Sequence, residues 1–227
     1  MIQDDKKRRA AEQALELLKD RQVIGLGTGS TATFVIEGIA RRVSERLSVV
    51  GVPTSVATAR LARALGIPLV ELNEVESIDI TFDGADEVDS DFNMIKGGGG
   101  ALTREKLVAL ASKQRVILID EGKIVSKLGQ SRSLPVEVLP FAWTMSARNL
   151  SGLGCQANLR ERDGEPFITD NGNYILDCDF GPIDCPSALE SRIKLLPGVI
   201  ESGLFIGIAD TLVIGFEDRV EVGYRLH

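Results

Sequence analysis

Three short segments hold residue types that can do chemistry together. They are Gly25-Leu26-Gly27-Thr28-Gly29-Ser30-Thr31, Asp83-Gly84-Ala85-Asp86-Glu87-Val88-Asp89, and Lys96-Gly97-Gly98-Gly99-Gly100 with Ala101 to Glu105 behind it. In the first, glycines let the backbone turn tightly between a strand and a helix, where free N–H groups and the helix dipole favour an anion. Thr28, Ser30 and Thr31 add hydroxyls suited to phosphate oxygens. A capped βα turn with no ligand is the competing reading. The second segment closes the apolar run Ile78 to Phe82, and open α/β sheets bind ligands beyond the carboxyl ends of their strands. Between Glu71 and Asp91 there are nine acids and no base, which by itself reads as a solvated loop. In the third, four glycines in a row carry a large conformational entropy cost. That cost makes sense where backbone N–H groups must approach a developing oxyanion. Glu105 falls in the first turn of the next helix, where the dipole favours its ionised form and desolvation opposes it. It is the candidate base.

Several chemistries are excluded. Gly27 to Ala32 fits a GxGxxA dinucleotide fingerprint, but Val49-Val50-Gly51-Val52 lacks the ribose-binding acid that should follow. No Gly-Lys-Ser/Thr occurs, so the phosphate loop of NTPases is absent. Asp89, Asp91 and Asn93 begin a calcium-loop pattern, but Met94 stands at the obligatory glycine and Gly100 at the bidentate Glu. The single histidine is His227 at the chain end, which removes Ser-His-Asp and Cys-His mechanisms and the usual catalytic zinc site. No metal and no cofactor are expected. Cys155, Cys178 and Cys185 are odd in number and form no CxxC pair, which suits a reducing compartment and buried thiols. The net charge of −7 argues against nucleic-acid binding. The most apolar run, Leu204 to Phe216, is too short to span a membrane and contains Asp210. A soluble cytoplasmic protein is expected.

The elements that must position these residues alternate along the first half. Strand-like runs at Val23 to Leu26, Val49 to Val52, Pro68 to Leu72, Ile78 to Phe82 and Val116 to Ile119 are separated by helical stripes. Those stripes include Ala10 to Leu18, Ala32 to Val43 and Ala101 to Ser112. This pattern predicts an α/β fold, a Rossmann-like mostly parallel sheet with helices on both faces. After Gly129 the character changes to a strand at Leu134 to Val138, a helix at Trp143 to Leu150, strands flanking Asp163-Gly164, a turn at Asp170 to Asn173, and a helix at Ala188 to Leu195. A smaller α+β domain over 130–203 is expected, with Leu204 to Ile206, Thr211 to Ile214 and Val220 to Tyr224 returning to the first sheet. The catalytic domain would then comprise 1–129 and 204–227.

Taken together, the chain closely resembles the ribose 5-phosphate isomerases of the A type. Asp83-Gly84-Ala85-Asp86 and Lys96-Gly97-Gly98-Gly99 are the most specific matches, joined by Gly25 to Thr31, Pro53-Thr54-Ser55, Pro135 to Val138, Asp170 to Asn173 and Gly203 to Phe205. The resemblance implies an aldose–ketose isomerase of the non-oxidative pentose phosphate pathway that works without metal or cofactor. It implies substrate-binding roles for Lys7, Thr28, Gly29, Ser30, Thr31, Asp83, Gly84, Ala85, Asp86, Lys96, Gly97, Gly98, Gly99 and Lys123. It makes Glu105 the proton acceptor, with Asp83 acting in ring opening and Lys96 at the oxyanion. Its members form homodimers or homotetramers, and the small domain (Phe141, Trp143 and Phe167) is expected to cover a partner. Gly122, where a small hydroxyl residue is usual, and Gly100, where alanine is usual, are the departures. The second is expected to be harmless. The rival readings are a non-catalytic sugar-phosphate sensor, for which no helix-turn-helix segment is available, and a nicotinamide dehydrogenase, disfavoured by the missing ribose acid.

Overall fold

Runs rich in Val and Ile without polar alternation are the pattern of strands covered on both faces, and they form the centre of the structure. The structure is a computed structural model that describes residues 2–225, so His227 lies outside it. In chain order, α1 (Ile2–Leu15), β1 (Gln22–Leu26), α2 (Ser30–Ser44), β2 (Val49–Pro53), α3 (Val56–Ala64) and β3 (Ile78–Gly84) come first. Then come β4 (Glu87–Val88), β5 (Met94–Ile95), α4 (Leu102–Leu110), β6 (Ser112–Asp120), β7 (Leu134–Val138), α5 (Trp143–Ser151) and β8 (Gln156–Leu159). The rest are β9 (Glu161–Arg162), β10 (Glu165–Pro166), β11 (Tyr174–Asp179), α6 (Pro186–Lys194), β12 (Val199–Ser202), β13 (Leu204–Phe205), β14 (Thr211–Gly215) and β15 (Val220–Tyr224).

Two units divide these elements. The first comprises residues up to Ala85, Arg104–Lys123, and those from Ile208 onward. Its six-stranded sheet has the order β15-β14-β6-β3-β1-β2, parallel except for β15. Ile24, Leu26, Ile80, Phe82, Val116, Leu118 and Val213 pack here with Ala10, Ala11 and Ala14 of α1 and Val35, Ile36 and Ile39 of α2. Two glycines set how closely helices approach this sheet. A Cβ on Gly215 would lie 2.1 Å from the Lys6 carbonyl oxygen of α1. A Cβ on Gly25 would lie 1.9 Å from Thr81 Oγ1 and 2.7 Å from Val108 Cγ1 of α4.

The second unit comprises Asp86–Thr103 and Ile124–Gly207. A four-stranded antiparallel sheet, β12-β7-β11-β8, forms its larger layer; β13-β5-β4 and the β9–β10 hairpin are small additions. Leu134, Val136, Val138, Leu176, Leu150, Leu189 and Ile193 form its core. Cys155 and Cys178 are buried free thiols here, and Cys185 is an exposed one. A hydrogen bond from Cys155, with burial, pushes the Cys178 thiol up in pKa.

Several expectations need correction. Pro68 to Leu72 is not a strand: Leu69 makes one bridge to Gly51 and a 3-10 turn follows at Leu72–Glu74. Pro68 has no N–H to donate, which confines the pairing. Leu204–Phe205 pairs antiparallel with Met94–Ile95 in the second unit and does not return to the first sheet. The Ala101 to Ser112 helix is shorter, because Ser112 already begins β6. Glu87–Val88, inside the acidic run, and Met94–Ile95, just after it, are strands that alternation over two residues cannot reveal. Of the three aromatics expected to cover a partner, only Phe141 is exposed, at 99%. Trp143 packs on the second core. Phe167 lies where a Cβ on Gly100 would meet its ring at 2.4 Å.

Candidate active site

Parallel strands share one carboxyl end, so β1, β2, β3, β6 and β14 deliver the segments that follow them to one edge of the first sheet. The β1–α2 turn is there. Gly29 caps α2 with φ of 110°, a left-handed value that favours glycine, and no side chain occupies the cap. Ser30 and Thr31 begin α2, and the Lys7 ammonium reaches Ser30 Oγ at 2.9 Å. The neighbouring Lys6 is held by Glu121 at 2.6 Å, a hydrogen bond that raises its pKa. Lys7 is thus the α1 cation brought to this helix N-terminus.

Thr28 departs from its expected use. Its hydroxyl points inward to Thr54 Oγ1 at 2.8 Å, Ser55 Oγ at 2.9 Å and Thr58 Oγ1 at 3.1 Å. Thr54 Oγ1 donates to the Leu26 carbonyl and Thr58 Oγ1 to that of Gly27. Ser55 caps α3 by accepting the Thr58 N–H at 3.0 Å. Pro53-Thr54-Ser55 therefore braces the turn from beneath. The Thr28 N–H donates to Asp83 Oδ1 at 3.2 Å, and the Gly84 N–H donates to the same oxygen at 2.8 Å. Asp83 is buried at the end of β3, and a Cβ on Gly27 would lie 2.2 Å from that oxygen. Gly27 is glycine because the Asp83 carboxylate fills the space a side chain would take.

Glu105 is the fourth residue of α4 and is buried. Val108, one turn on, is the residue that Gly25 admits against the sheet. α4 runs directly into β6. Lys123 ends a short 3-10 turn just after β6, with Gly122 N–H on Asp120 Oδ1 at 3.1 Å.

In the second unit, Asp86, Lys96 and the glycine loop come together. Asp86 Oδ2 accepts the Gly98 N–H at 2.8 Å, so that donor is committed within the protein. Lys96 is buried, its ammonium 5.5 Å from the centre of the Phe205 ring. Gly100 has φ of 84°, and the Phe167 ring takes the place of a methyl group. Alanine here would collide, so glycine is required where it was expected only to be harmless.

The acidic run is solvated only in part: Glu71, Glu74, Glu76 and Asp91 are exposed, but others turn inward. Glu87 is fully buried and accepts the Gly129 N–H, the Ser131 N–H and the Ser131 hydroxyl at 2.6–2.7 Å. Asp89 accepts the N–H groups of Asp91 and Asn93, closing the turn that imitated a calcium loop. Among the described residues, no group of three His, Cys, Asp or Glu side chains is placed to hold a metal ion.

Sequence reasoning passed over Glu137, a fully buried carboxylate on β7. Its Oε1 accepts from Thr169 Oγ1 at 2.9 Å, Asn171 Nδ2 at 3.1 Å and Asn173 Nδ2 at 2.8 Å; Oε2 accepts from Thr103 Oγ1. The segments Pro135 to Val138 and Asp170 to Asn173 thus meet at one acceptor. Thr103 stands two residues before Glu105 in the same helix.

The family model for ribose 5-phosphate isomerase A (phosphoriboisomerase A) matches residues 50–219. A ribose-5-phosphate isomerase A from Gloeobacter violaceus is 52% identical over 217 residues, covering 95% of this chain and 94% of the relative. The solved ribose 5-phosphate isomerase A of Methanocaldococcus jannaschii superposes with a TM-score of 0.93 at 43% identity, covering 97% and 98% of the two chains. A D-ribose-5-phosphate isomerase solved in complex with phospho-erythronic acid gives 0.95 at 41%, with the same coverage.

Removing the Glu137 acceptor should be costly in a graded way. Glu137→Gln keeps one carbonyl oxygen, and the Thr103 hydroxyl can turn to accept, so a loss of about 1–3 kcal/mol is expected. Glu137→Leu strands every donor and should cost at least about 3 kcal/mol. Urea unfolding at constant m measures both; equal midpoints for the two variants would show that hydrogen bonding to Glu137 does not matter.

Proposed function

The chain belongs to the ribose 5-phosphate isomerase A family, and from that premise we propose that Glu105 is the base that moves the substrate proton. The protein is an aldose–ketose isomerase of pentose phosphate metabolism, interconverting D-ribose 5-phosphate and D-ribulose 5-phosphate. A non-catalytic sensor role is not favoured. The observation that carries the residue assignment is a buried carboxylate in the first turn of α4, in the same helix as a residue tied to the Glu137 network.

In our reading the Glu105 carboxylate takes the proton from C2 of the open-chain aldose. The electrons move onto the C1 carbonyl oxygen, giving an enediolate. O1 is protonated, the C2 hydroxyl gives up its proton to become the ketone, and Glu105 returns its proton to C1. Acid–base transfer of this kind contributes about 10²–10⁴-fold. We assign stabilisation of the oxyanion to Lys96 and the Gly99 N–H, since those of Gly98 and Gly100 are taken by Asp86 and the Gly97 carbonyl. Asp83, fixed at the end of β3 by two backbone N–H groups on Oδ1, is assigned to a sugar hydroxyl during ring opening. Gly84, Ala85 and Asp86 continue the sugar-lining segment. Lys7, Gly29, Ser30 and Thr31 bind the phosphate at the α2 N-terminus, where the dipole and free N–H groups favour an anion. Thr28 contributes by shaping that turn, and Lys123 is a second cation for the substrate. Phosphate binding away from the reacting carbons holds the chain in place. We extend to this chain the binding of phospho-erythronic acid, whose carboxylate resembles the enediolate in charge and shape.

We also propose a homodimer or homotetramer, supported by Phe141 at 99% exposure beside the exposed Leu139 and Met145. Light scattering at micromolar concentration should give at least twice the 24.5 kDa chain mass; a monomer would overturn it.

Glu105→Gln should lose at least about a hundredfold in turnover and lose exchange of the C2 proton with solvent while still binding substrate. If more than about a tenth of turnover survives, the base lies elsewhere, and Asp83 becomes the leading candidate. Lys7→Ala should raise KM for ribose 5-phosphate more than it lowers kcat, the signature of lost uniform binding. An unchanged KM would make Lys7 an ordinary helix lysine.

A further inference from the structure

Arg160 lies between β8 and β9, and its backbone is fixed on both sides. Its N–H donates to the Ile175 carbonyl at 2.8 Å, and its carbonyl accepts the Phe167 N–H at 2.8 Å. Its guanidinium grips Asp177 with two hydrogen bonds, Nε to Oδ2 at 2.9 Å and Nη2 to Oδ1 at 2.5 Å. The remaining nitrogen, Nη1, donates to the Gly97 carbonyl at 2.8 Å and the Gly98 carbonyl at 3.2 Å. A planar fork with one arm pair on a carboxylate is held rigidly, so the two carbonyls meet a fixed cation.

A trans peptide places its N–H opposite its C=O, and no cis peptide occurs among the described residues. With the Gly97 carbonyl on Arg160, the Gly98 N–H points the other way and is taken by Asp86. With the Gly98 carbonyl on Arg160, the Gly99 N–H also points away, and it has no hydrogen-bond acceptor among the described residues. Glycine peptides otherwise rotate easily. The Gly97 carbonyl also accepts the Gly100 N–H at 3.0 Å, which keeps the turn closed without Arg160, but the Gly98 carbonyl has no other donor among the described residues, so loss of Arg160 frees the Gly98–Gly99 peptide to flip within that turn.

We propose that Arg160, braced by Asp177, is a positioning residue that turns the Gly97 and Gly98 carbonyls toward itself and so presents the Gly99 N–H as a preset donor to the enediolate oxyanion. This rests on the assignment of the Lys96–Gly99 loop to the oxyanion. A donor aimed before the reaction needs no reorganisation when charge develops. Losing one such donor costs about 10²–10³ in kcat, and misdirecting it costs less, roughly 10–100-fold.

A cavity of about 250 Å³ lined by Asp86, Gly98, Arg132, Arg160 and Asp177 adjoins the guanidinium, so a small cation can reach the space left by truncation. Arg160→Ala should lower kcat roughly 10–100-fold with KM for ribose 5-phosphate changed less than about threefold. Millimolar guanidinium chloride should restore a substantial part of kcat, a response that mere destabilisation would not give. Affinity for phospho-erythronic acid should fall in step with kcat. Arg160→Lys, which keeps the charge beside Asp177 but offers no planar fork, should fold and show the same split if the alanine variant fails to fold. Lys96→Met, assayed alongside, tests the loop itself. A large loss at Lys96 with kcat within threefold of wild type at Arg160 would overturn the positioning role alone. A loss at Arg160 that guanidinium cannot relieve, or that falls equally on KM, would overturn it too. No loss at Lys96 would overturn the oxyanion assignment and this inference with it.

Discussion

A carboxylate taken out of water must be given hydrogen-bond donors, or burial costs more than a small protein can offset. In this chain the donors come mostly from loops. Asp83 takes the N–H groups of Thr28 and Gly84, Asp86 that of Gly98, and Glu87 those of Gly129 and Ser131. Glu137 takes four side-chain donors from the start of α4 and the turn before β11. Each acid thereby orders a loop that would otherwise be free. Glycine-rich segments lose much entropy on ordering, and here fixed acceptors and one fixed guanidinium set their peptide directions. A few of the acids that make the sequence acidic thus serve internal structure and not the surface.

The parallel sheet was legible because strands buried on both faces need unbroken apolar runs, and Val23 to Leu26, Val49 to Val52 and Ile78 to Phe82 are such runs. The chemistry-bearing turns were legible because glycines and hydroxyls at strand ends have few other uses. Short elements were not: Glu87–Val88 and Met94–Ile95 offer two residues each, too few for any period. The destination of Leu204 could not be read, since a strand of β-forming residues does not say which sheet it joins. Pro68 misled in the other direction, because its apolar neighbours outweighed its missing N–H.

The site divided in the same way. Lys7, Asp83, Glu105 and Lys123 carry types and positions that point to chemistry. Glu137, Arg160 and Asp177 do not, because their importance lies in what they touch across long sequence separations. A Glu in a β-strand and an Arg beside a hairpin look like surface residues until the fold places donors or carbonyls around them. The Thr28 hydroxyl shows the converse. Its type suited phosphate, but three neighbouring hydroxyls claim it.

The contact between Gly100 and Phe167 ties together two positions far apart in the chain. A methyl group at position 100 would meet the ring at 2.4 Å, and the positive φ at 100 penalises any side chain there. A side chain at position 100 therefore needs the ring to move, and moving the ring disturbs the packing that Arg160 and Arg162 make against Phe167. Tolerance at one of these positions is set by what stands at the other.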